Sequence, residues 1–587
     1  MKVGSFWPIL LRSGPLAAGM AWGRWRRIMA GMGWRRGAAW AVATGLGLML
    51  AVPAAAQDAA PGQQSAAPII DRDRTDRLEP RIAPPPVAAP RPAPSVQVAP
   101  AASSAGQTLL TRLRYSGTTL PTGQLDAAAS PYIGRPLTGE TLQAIANAIS
   151  ATYARSDIAF YSVSIPPQVP SGGVLTIRLV EGRVTDYRLA GMSPSMPAGL
   201  IAAHMRRLMR DAPLRKSSLE RTLALLRDIP GQTVDARLRQ SGAPGDLLID
   251  LIVKRKQVQI GLTIDNSGVS NVVQGVQAQM SVTVNGLVRE GDSTRIAGYL
   301  PFNPDRYQYY SLSHATPIGS NGLTLAAQAA HVETRSRDSR TTGEATLAGL
   351  TLSYPVLRST KSQLSVTASL DGIDSDNYFL DIRFGDYRSR ALRLGASWSR
   401  ADARDGYAIS TVVSQGIDAL GARPFAGFSE TGFTKVNAQA VAVKGISGKL
   451  SLRTSIKGQY SKDDLPVTER FPLGGRGAGM AFRTGTLTAE QAVAGSAELS
   501  WSLPARSPLL KASALFVALD GALAHGTARP AYRLVARDYS LASAGGGVRL
   551  GLGPKWRVSA EVAVPVKRPD PSHSRKARFF FGVGRAF

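Results

Sequence analysis

Residues 276–285 read Val-Gln-Ala-Gln-Met-Ser-Val-Thr-Val-Asn, and their apolar members Val276, Ala278, Met280, Val282 and Val284 alternate with Gln277, Gln279, Ser281, Thr283 and Asn285. Successive side chains of a strand point to opposite faces, so this segment presents one apolar and one polar face. The same period of two runs through Leu364, Val366, Ala368 and Leu370; through Leu392, Leu394, Ala396 and Trp398; and through Ala497, Leu499, Trp501 and Leu503. A soluble sandwich looks alike over a single strand, so the last segment, Phe579 to Phe587 (FFFGVGRAF), discriminates. It places Phe579, Phe581, Val583 and the terminal Phe587 on one face, and a closed barrel leaves no edge to protect, so a strand can finish the chain. Residues 257–587 divided among about 16 strands leave roughly 20 residues for each strand and its connection, enough for the 9 to 11 of a spanning strand. The expectation is a transmembrane antiparallel β-barrel of about 16 strands, any even count from 14 to 18 fitting nearly as well.

The texture upstream is different. Residues 57–106 are rich in Ala, Pro, Gln and Ser and cannot bury a core, which reads as an extended linker. Within it residues 69–81 (IIDRDRTDRLEPR) read either as a short helix able to plug a pore or as a solvated charge run. From Thr108 a compact α/β pattern begins. A strand leads to Ser116-Gly117, and a helix follows Thr138 as N-cap, with Leu142, Ile145, Ile149 and Tyr153 at helical spacing. Strands Ile158 to Ile165 and Val174 to Val180 complete the unit. A second unit carries Ser217 and Glu220 in capping-box spacing ahead of Leu219, Leu223 and Leu226, then the stop Asp228-Ile229-Pro230-Gly231 and two alternating strands. The expected modules are residues 107–183 and 184–256, ahead of a barrel over residues 257–587.

Composition narrows the chemistry. The 587 residues contain no cysteine and five histidines, which removes disulfides and thiolate chemistry and leaves little for zinc. A net charge of +28 fits nucleic acid, anionic lipid or a positively lined lumen. Arg24, Arg26, Arg27, Arg35 and Arg36 precede the apolar run Ala38 to Val52 and the small residues Ala54-Ala55-Ala56. That order is an export signal over residues 1–56, cleaved after Ala56, with Met29 or Met32 as an alternative start. An anchor helix is the competing reading, and the short run ending in a cleavage pattern argues against it. Export also removes the genome as a partner.

The order of these parts resembles the two-partner secretion transporters, the hemolysin activator/secretion family, whose front modules are POTRA domains. In the first module Tyr153, the turn Ile165-Pro166-Pro167-Gln168 and the run Leu179-Val180-Glu181-Gly182-Arg183 are similar to family signatures; in the second, Asp228 and Pro230 within Leu226 to Gly231; in the barrel, Asp265-Asn266-Ser267-Gly268. Members carry a loop folded back into the lumen with Leu-Gly-Gly followed by Val-Arg-Gly-Phe/Tyr. Here Leu473-Gly474-Gly475 and Arg476-Gly477-Ala478-Gly479-Met480-Ala481-Phe482 stand in that place, and aligning the aromatic on Phe482 puts Met480 where the arginine belongs. The family's arginine pairs with a barrel-wall aspartate, and Phe516 to Gly521 is a loose match that nominates Asp520. A carboxylate in a lumen needs solvent or a partner, so Arg476 or Arg483 is expected to replace the lost cation, the alternative being an ordinary solvated carboxylate. The glycine-rich Gly474 to Gly479 is not followed by a P-loop pattern, and a flexible loop without special function is its alternative. Gly545-Gly546-Gly547 reads as close backbone packing within a strand.

The resemblance implies an outer-membrane pore, not an enzyme, that secretes a large β-helical exoprotein of hemolysin or adhesin type without nucleotide hydrolysis, its POTRA modules standing in the periplasm. Implied partners are that exoprotein, outer-membrane lipid and the barrel assembly machinery during biogenesis, with a single chain closing its own pore as a monomer. An unfolded client can add to a module's sheet edge, and Arg206, Arg207, Arg210, Arg215 and Lys216 either attract it or form a solvated basic face. The rival readings are an insertase that assembles other barrels, which carries more front modules, and a passive porin or uptake barrel, which two α/β modules disfavour. No catalytic constellation, cofactor motif or metal-ligand spacing emerges.

Overall fold

The computed structural model describes residues 79–82, 95–99, 108–169, 171–191, 198–269, 272, 275–336, 340–504, 510 and 512–587. The export-signal residues 1–56 and residues 69–78 lie outside these. Among the described residues sixteen antiparallel strands, from Val258–Asp265 to Arg578–Ala586, form one closed barrel. The last strand closes it by pairing Gly582–Ala586 against Gly261–Asp265. The Asn266 side chain reinforces the seam, donating to the Phe579 carbonyl at 3.0 Å and accepting from the Phe581 amide at 2.9 Å.

The alternating apolar residues lie together on the outside. Met280 is opposite Leu262, Ala368 opposite Leu394, and Leu499 opposite Val517. Large apolar side chains on this face are left exposed, Leu394 at 58% and Leu519 at 62%. The inner face is the reverse, with Asp371, Arg393, Lys435, Asn437, Gln459 and Asp520 all buried. Apolar outside and ionised inside is the inversion a hydrocarbon solvent demands. No helix among the described residues is long and apolar enough to cross a membrane. The strands Thr341–Arg358, Ser362–Phe379 and Ile382–Ala401 run to 18, 18 and 20 residues, longer than a span requires. Their far ends carry outward ion pairs, Arg390 with Asp374 at 2.7 Å and Arg423 with Asp386 at 2.9 Å, where the wall has left the lipid.

Ahead of the barrel stand two α/β modules. The first has a sheet in the order Ser95–Val98, Tyr161–Ile165, Val174–Glu181, Arg112–Ser116, covered by helices Thr122–Ala129 and Gly139–Arg155. Thr138 caps the longer helix by accepting from the Thr141 amide at 3.2 Å. The second has the order Arg183–Ala190, Asp246–Arg255, Gln232–Gln240, with helices Gly199–Leu208 and Lys216–Asp228.

The capping-box expectation fails. Helix Lys216–Asp228 has Arg215 at its cap position and no side-chain cap bond. Ser217 instead donates its amide (3.0 Å) and hydroxyl (2.6 Å) to Asp157 of the first module. A carboxylate arriving at a helix N-terminus satisfies the free amides and the dipole together, so the neighbouring module supplies the cap. Glu220 is diverted too, towards Thr360 on a barrel turn. On the same helix Arg221 donates to the Pro355 carbonyl at 2.8 Å, and Asp228 takes a bidentate pair from Arg358, both bonds 2.7 Å. The second module is therefore fastened to the barrel's turns by charge-assisted bonds.

Residues 79–82 have no regular secondary structure and reach the lumen: Glu79 pairs with Arg453 on the inner wall, and Ile82 packs against Gly406.

His204 is buried in the second module, and desolvation, then Arg207, pushes its pKa down to about 4. Its unfolded pKa is near 6.5, so the unfolded state takes up the proton first as pH falls. The module is then at full stability above about pH 6.5 and loses on the order of 2–3 kcal/mol by about pH 4. Hydrogen exchange of strand Asp246–Arg255, corrected for intrinsic rates, is expected to show this loss in the full-length protein, and His204→Gln to flatten it.

Candidate functional site: a loop braced across the lumen

Residues 461–490 connect strands Leu450–Tyr460 and Gln491–Ser502 and fold back into the barrel. A ribbon of Phe471–Leu473 against Leu487–Ala489 stiffens the loop, and Leu473, Ala478 and Phe482 are buried with Leu541 and Ala563 of the wall. At the tip Gly479 has φ of +110°, and a Cβ there would lie 2.1 Å from Leu541 Cδ1, so only glycine serves.

Asp520 meets this tip, but among the described residues no arginine pairs with it. Its carboxylate accepts from the backbone amides of Gly477 at 2.9 Å, Gly479 at 3.0 Å and Met480 at 2.9 Å. Ser543, directly across the ladder, also reaches it and accepts from the Ala481 amide at 3.1 Å. The expectation that Arg476 replaces the missing cation is corrected, because Arg476 turns to Glu561, two strands along the wall from Asp520. Arg483 contributes its backbone carbonyl, which accepts from Thr486. The physical reason lies at Met480. A thioether donates no hydrogen bond, and its side chain lies over Gly545, where a Cβ would come within 2.7 Å of the sulfur. With glycines at positive φ the chain instead aims the N–H groups of Gly477, Gly479 and Met480 at one point, an anion-binding concavity akin to a nest. Phe516 and Asp520 share the inner face as the period predicted, Phe516 lying 3.9 Å beneath the Arg549 guanidinium, which is paired with Glu498.

The legs of the loop hold residues that the sequence reading missed. Glu469 is fully buried, bonded to Arg393 at 3.0 Å and Lys435 at 2.7 Å, and Arg393 is also bidentate to Asp371 at 2.6 and 2.8 Å. On the other leg Glu490 is likewise fully buried, held by Arg529 at 2.8 Å and Arg470 at 2.7 Å. Arg529 lies 5.3 Å from the Phe428 ring, joining the loop to the outer turns. The available signal was placement, since Glu469 and Glu490 flank the Phe471 to Ala489 ribbon.

The module signatures are joints. Tyr153 donates to Glu181 at 2.8 Å, and Gln168 bonds both backbone groups of Thr176 at 2.7 and 2.8 Å, fixing the turn that includes Pro167. The Gly182 carbonyl accepts from Leu214 at 2.7 Å, tying the modules. Pro230 lines a cleft with Arg255, Asn285 and Glu290, beside the Asp228–Arg358 pair. Of the basic cluster, Lys216 is committed to the Ala154 carbonyl at 2.8 Å and Arg215 pairs with Asp211 at 3.6 Å. Phe587 accepts from Lys256 at 2.5 Å and stacks 4.1 Å from the Arg585 guanidinium. No group able to hold a metal is present among the described residues.

A closed sixteen-strand barrel, braced by an inner loop and preceded by such modules, defines an outer-membrane transporter with its N-terminal domains in the periplasm. The family model described as haemolysin secretion/activation protein ShlB/FhaC/HecB matches residues 246–550, and that of the ShlB-type POTRA domain matches residues 109–182. The chain belongs to the haemolysin secretion/activation family. It is 22% identical over 438 residues to the outer membrane transporter CdiB of Escherichia coli O6:K15:H31 (strain 536 / UPEC), covering 71% of this chain and 72% of that one. It is 19% identical over 479 residues to the heme/hemopexin transporter protein HuxB of Haemophilus influenzae (strain 86-028NP), covering 79% and 84%. The solved structure of CdiB from Escherichia coli superposes with a TM-score of 0.71 at 20% identity, covering 91% of this chain and all of that one.

Three consequences are measurable. Asp520→Ala leaves three backbone donors unmet and is expected to cost on the order of 1–3 kcal/mol, raising pore conductance in planar bilayers. Arg476→Ala is expected to cost under about 1 kcal/mol in the same measurement, because its side chain is 59% exposed. Glu469→Ala removes the buried carboxylate that Arg393 and Lys435 share, and a loss of about 3–5 kcal/mol should appear as barrel that no longer resists unfolding in detergent before boiling.

Proposed function

We propose that this transporter secretes a large exoprotein of hemolysin or adhesin type, rich in β-helix, from the periplasm to the cell surface. The observation that supports this best is the division of labour in the lumen loop. Its legs are anchored by buried ion networks, while its tip is held by hydrogen bonds to one carboxylate and by one half-exposed ion pair. A permanently sealed barrel needs no such weak closure, and a passive porin needs neither the closure nor two modules with strand edges.

Transport in this reading proceeds by recruitment, threading and folding outside, with no cofactor and no nucleotide. The modules offer sheet edges to an extended client, whose unmet backbone groups gain partners there whatever its side chains. The cavity beside the loop tip, lined by Arg453, Lys457, Glu498 and Glu561 of the wall and by Arg476 of the loop, offers charges of both signs to a moving chain. Residues 1–56 act as the export signal, the barrel assembly machinery inserts the chain, and it works in lipid as a monomer.

Co-expression with a β-helical exoprotein sought among the neighbouring genes tests this. Wild-type protein should release the exoprotein to the medium, whereas a variant lacking residues 107–255 should still insert, shifting on gels after boiling, yet release none. Undiminished release without the modules would remove recruitment from the mechanism.

A further inference from the structure

The two modules share one topology, but their middle strands are treated differently. In the second, Gln232–Gln240 is an edge with no outer neighbour among the described residues. In the first, the equivalent strand Tyr161–Ile165 is already covered by the chain's own Ser95–Val98, paired in parallel register from Ser95 opposite Ser162 to Val98 opposite Ile165. The Ala99 amide extends the ladder to the Ile165 carbonyl at 3.1 Å, and the Ser95 and Ser162 hydroxyls meet at 2.7 Å. Val96 and Val98 lie against the module's core, while Gln97 points to solvent.

We propose that Ser95–Val98 is a resident occupant of a client-binding edge, and that an extended segment of the secreted partner with β-branched residues at alternate positions replaces it. This rests on the transport reading above. The added strand shows the chemistry the edge accepts: parallel backbone pairing and two apolar side chains two residues apart, with nothing required between them. It is also built to leave. The segment Ser-Val-Gln-Val is four residues long and uncharged, so no ion pair from within it fastens it, and an incoming strand can reproduce every bond it makes. The lead is held elsewhere by Glu79 on Arg453 and by Ile82 at Gly406, so its release from the edge does not detach it from the barrel.

The chain has no cysteine, so a disulfide trap is unambiguous. In the full-length protein Ser95→Cys with Ser162→Cys, oxidised, should hold the strand in place and reduce secretion of the co-expressed exoprotein at least tenfold, with recovery on reduction. Equal secretion in both states overturns the proposal. Independently, a labelled peptide of residues 93–100 (APSVQVAP) is offered in detergent to the full-length Val96→Asp/Val98→Asp variant, whose edge is vacated. Anisotropy should show saturable binding at least tenfold tighter than to wild type and absent from the oxidised cysteine pair. Binding no tighter than to wild type overturns the exchangeable edge. Should wild-type protein secrete no exoprotein, the transport reading falls alone, and the peptide still decides the edge.

Discussion

A peptide group in hydrocarbon has no water to bond, so a membrane sheet must have no edge. In this chain that condition is met by the short ladder between Gly261–Asp265 and Gly582–Ala586, with the Asn266 amide bridging to the last strand. Once the wall is a closed cylinder, its inside is an enclosed aqueous space. Charges such as Arg393 and Glu469 can be buried there only in pairs, and those pairs are what the inner loop stands on.

The loop therefore joins two regimes of electrostatics. Its legs rest on ionised groups withdrawn from water, whose separation strands a charge and is costly. Its tip rests on neutral donors around a single carboxylate, a gathering of modest bonds that can be lost and remade. Strength sits towards the outer turns and yielding contacts sit deep in the wall. The second module follows the same economy, clamped to periplasmic turns through Arg221 and the Asp228–Arg358 pair while its own sheet keeps an edge free among the described residues.

The sequence was informative where a period repeats. Alternation at Val276 to Val284 foretold which face of the strand would meet lipid, and the spacing of Leu142, Ile145 and Ile149 foretold a helix core. It failed where the partner is distant in sequence. Ser217 and Glu220 satisfy a local capping rule, yet Asp157 and Thr360 supply the real contacts. Helix Thr122–Ala129 went unread because only Leu125 and Ala129 are buried, too few to make a period; helix Gly199–Leu208, with Ile201, Met205 and Leu208 in phase, was readable and was overlooked. At Asp520 the motif led to the expectation of an arginine donor, whereas the donors are backbone amides, which carry no letter in a sequence.

That last point has an evolutionary reading. When a closure depends on one arginine, any substitution of that side chain abolishes it. Here the donors are main-chain amides, which no substitution other than proline deletes, and Met480 is free to vary in chemistry so long as it fits over Gly545. Genetic fragility has moved to the glycines, whose backbone angles form the cradle, and to Asp520. A contact built this way needs no cationic side chain at its donors, and a search for a cationic side chain alone would pass over it.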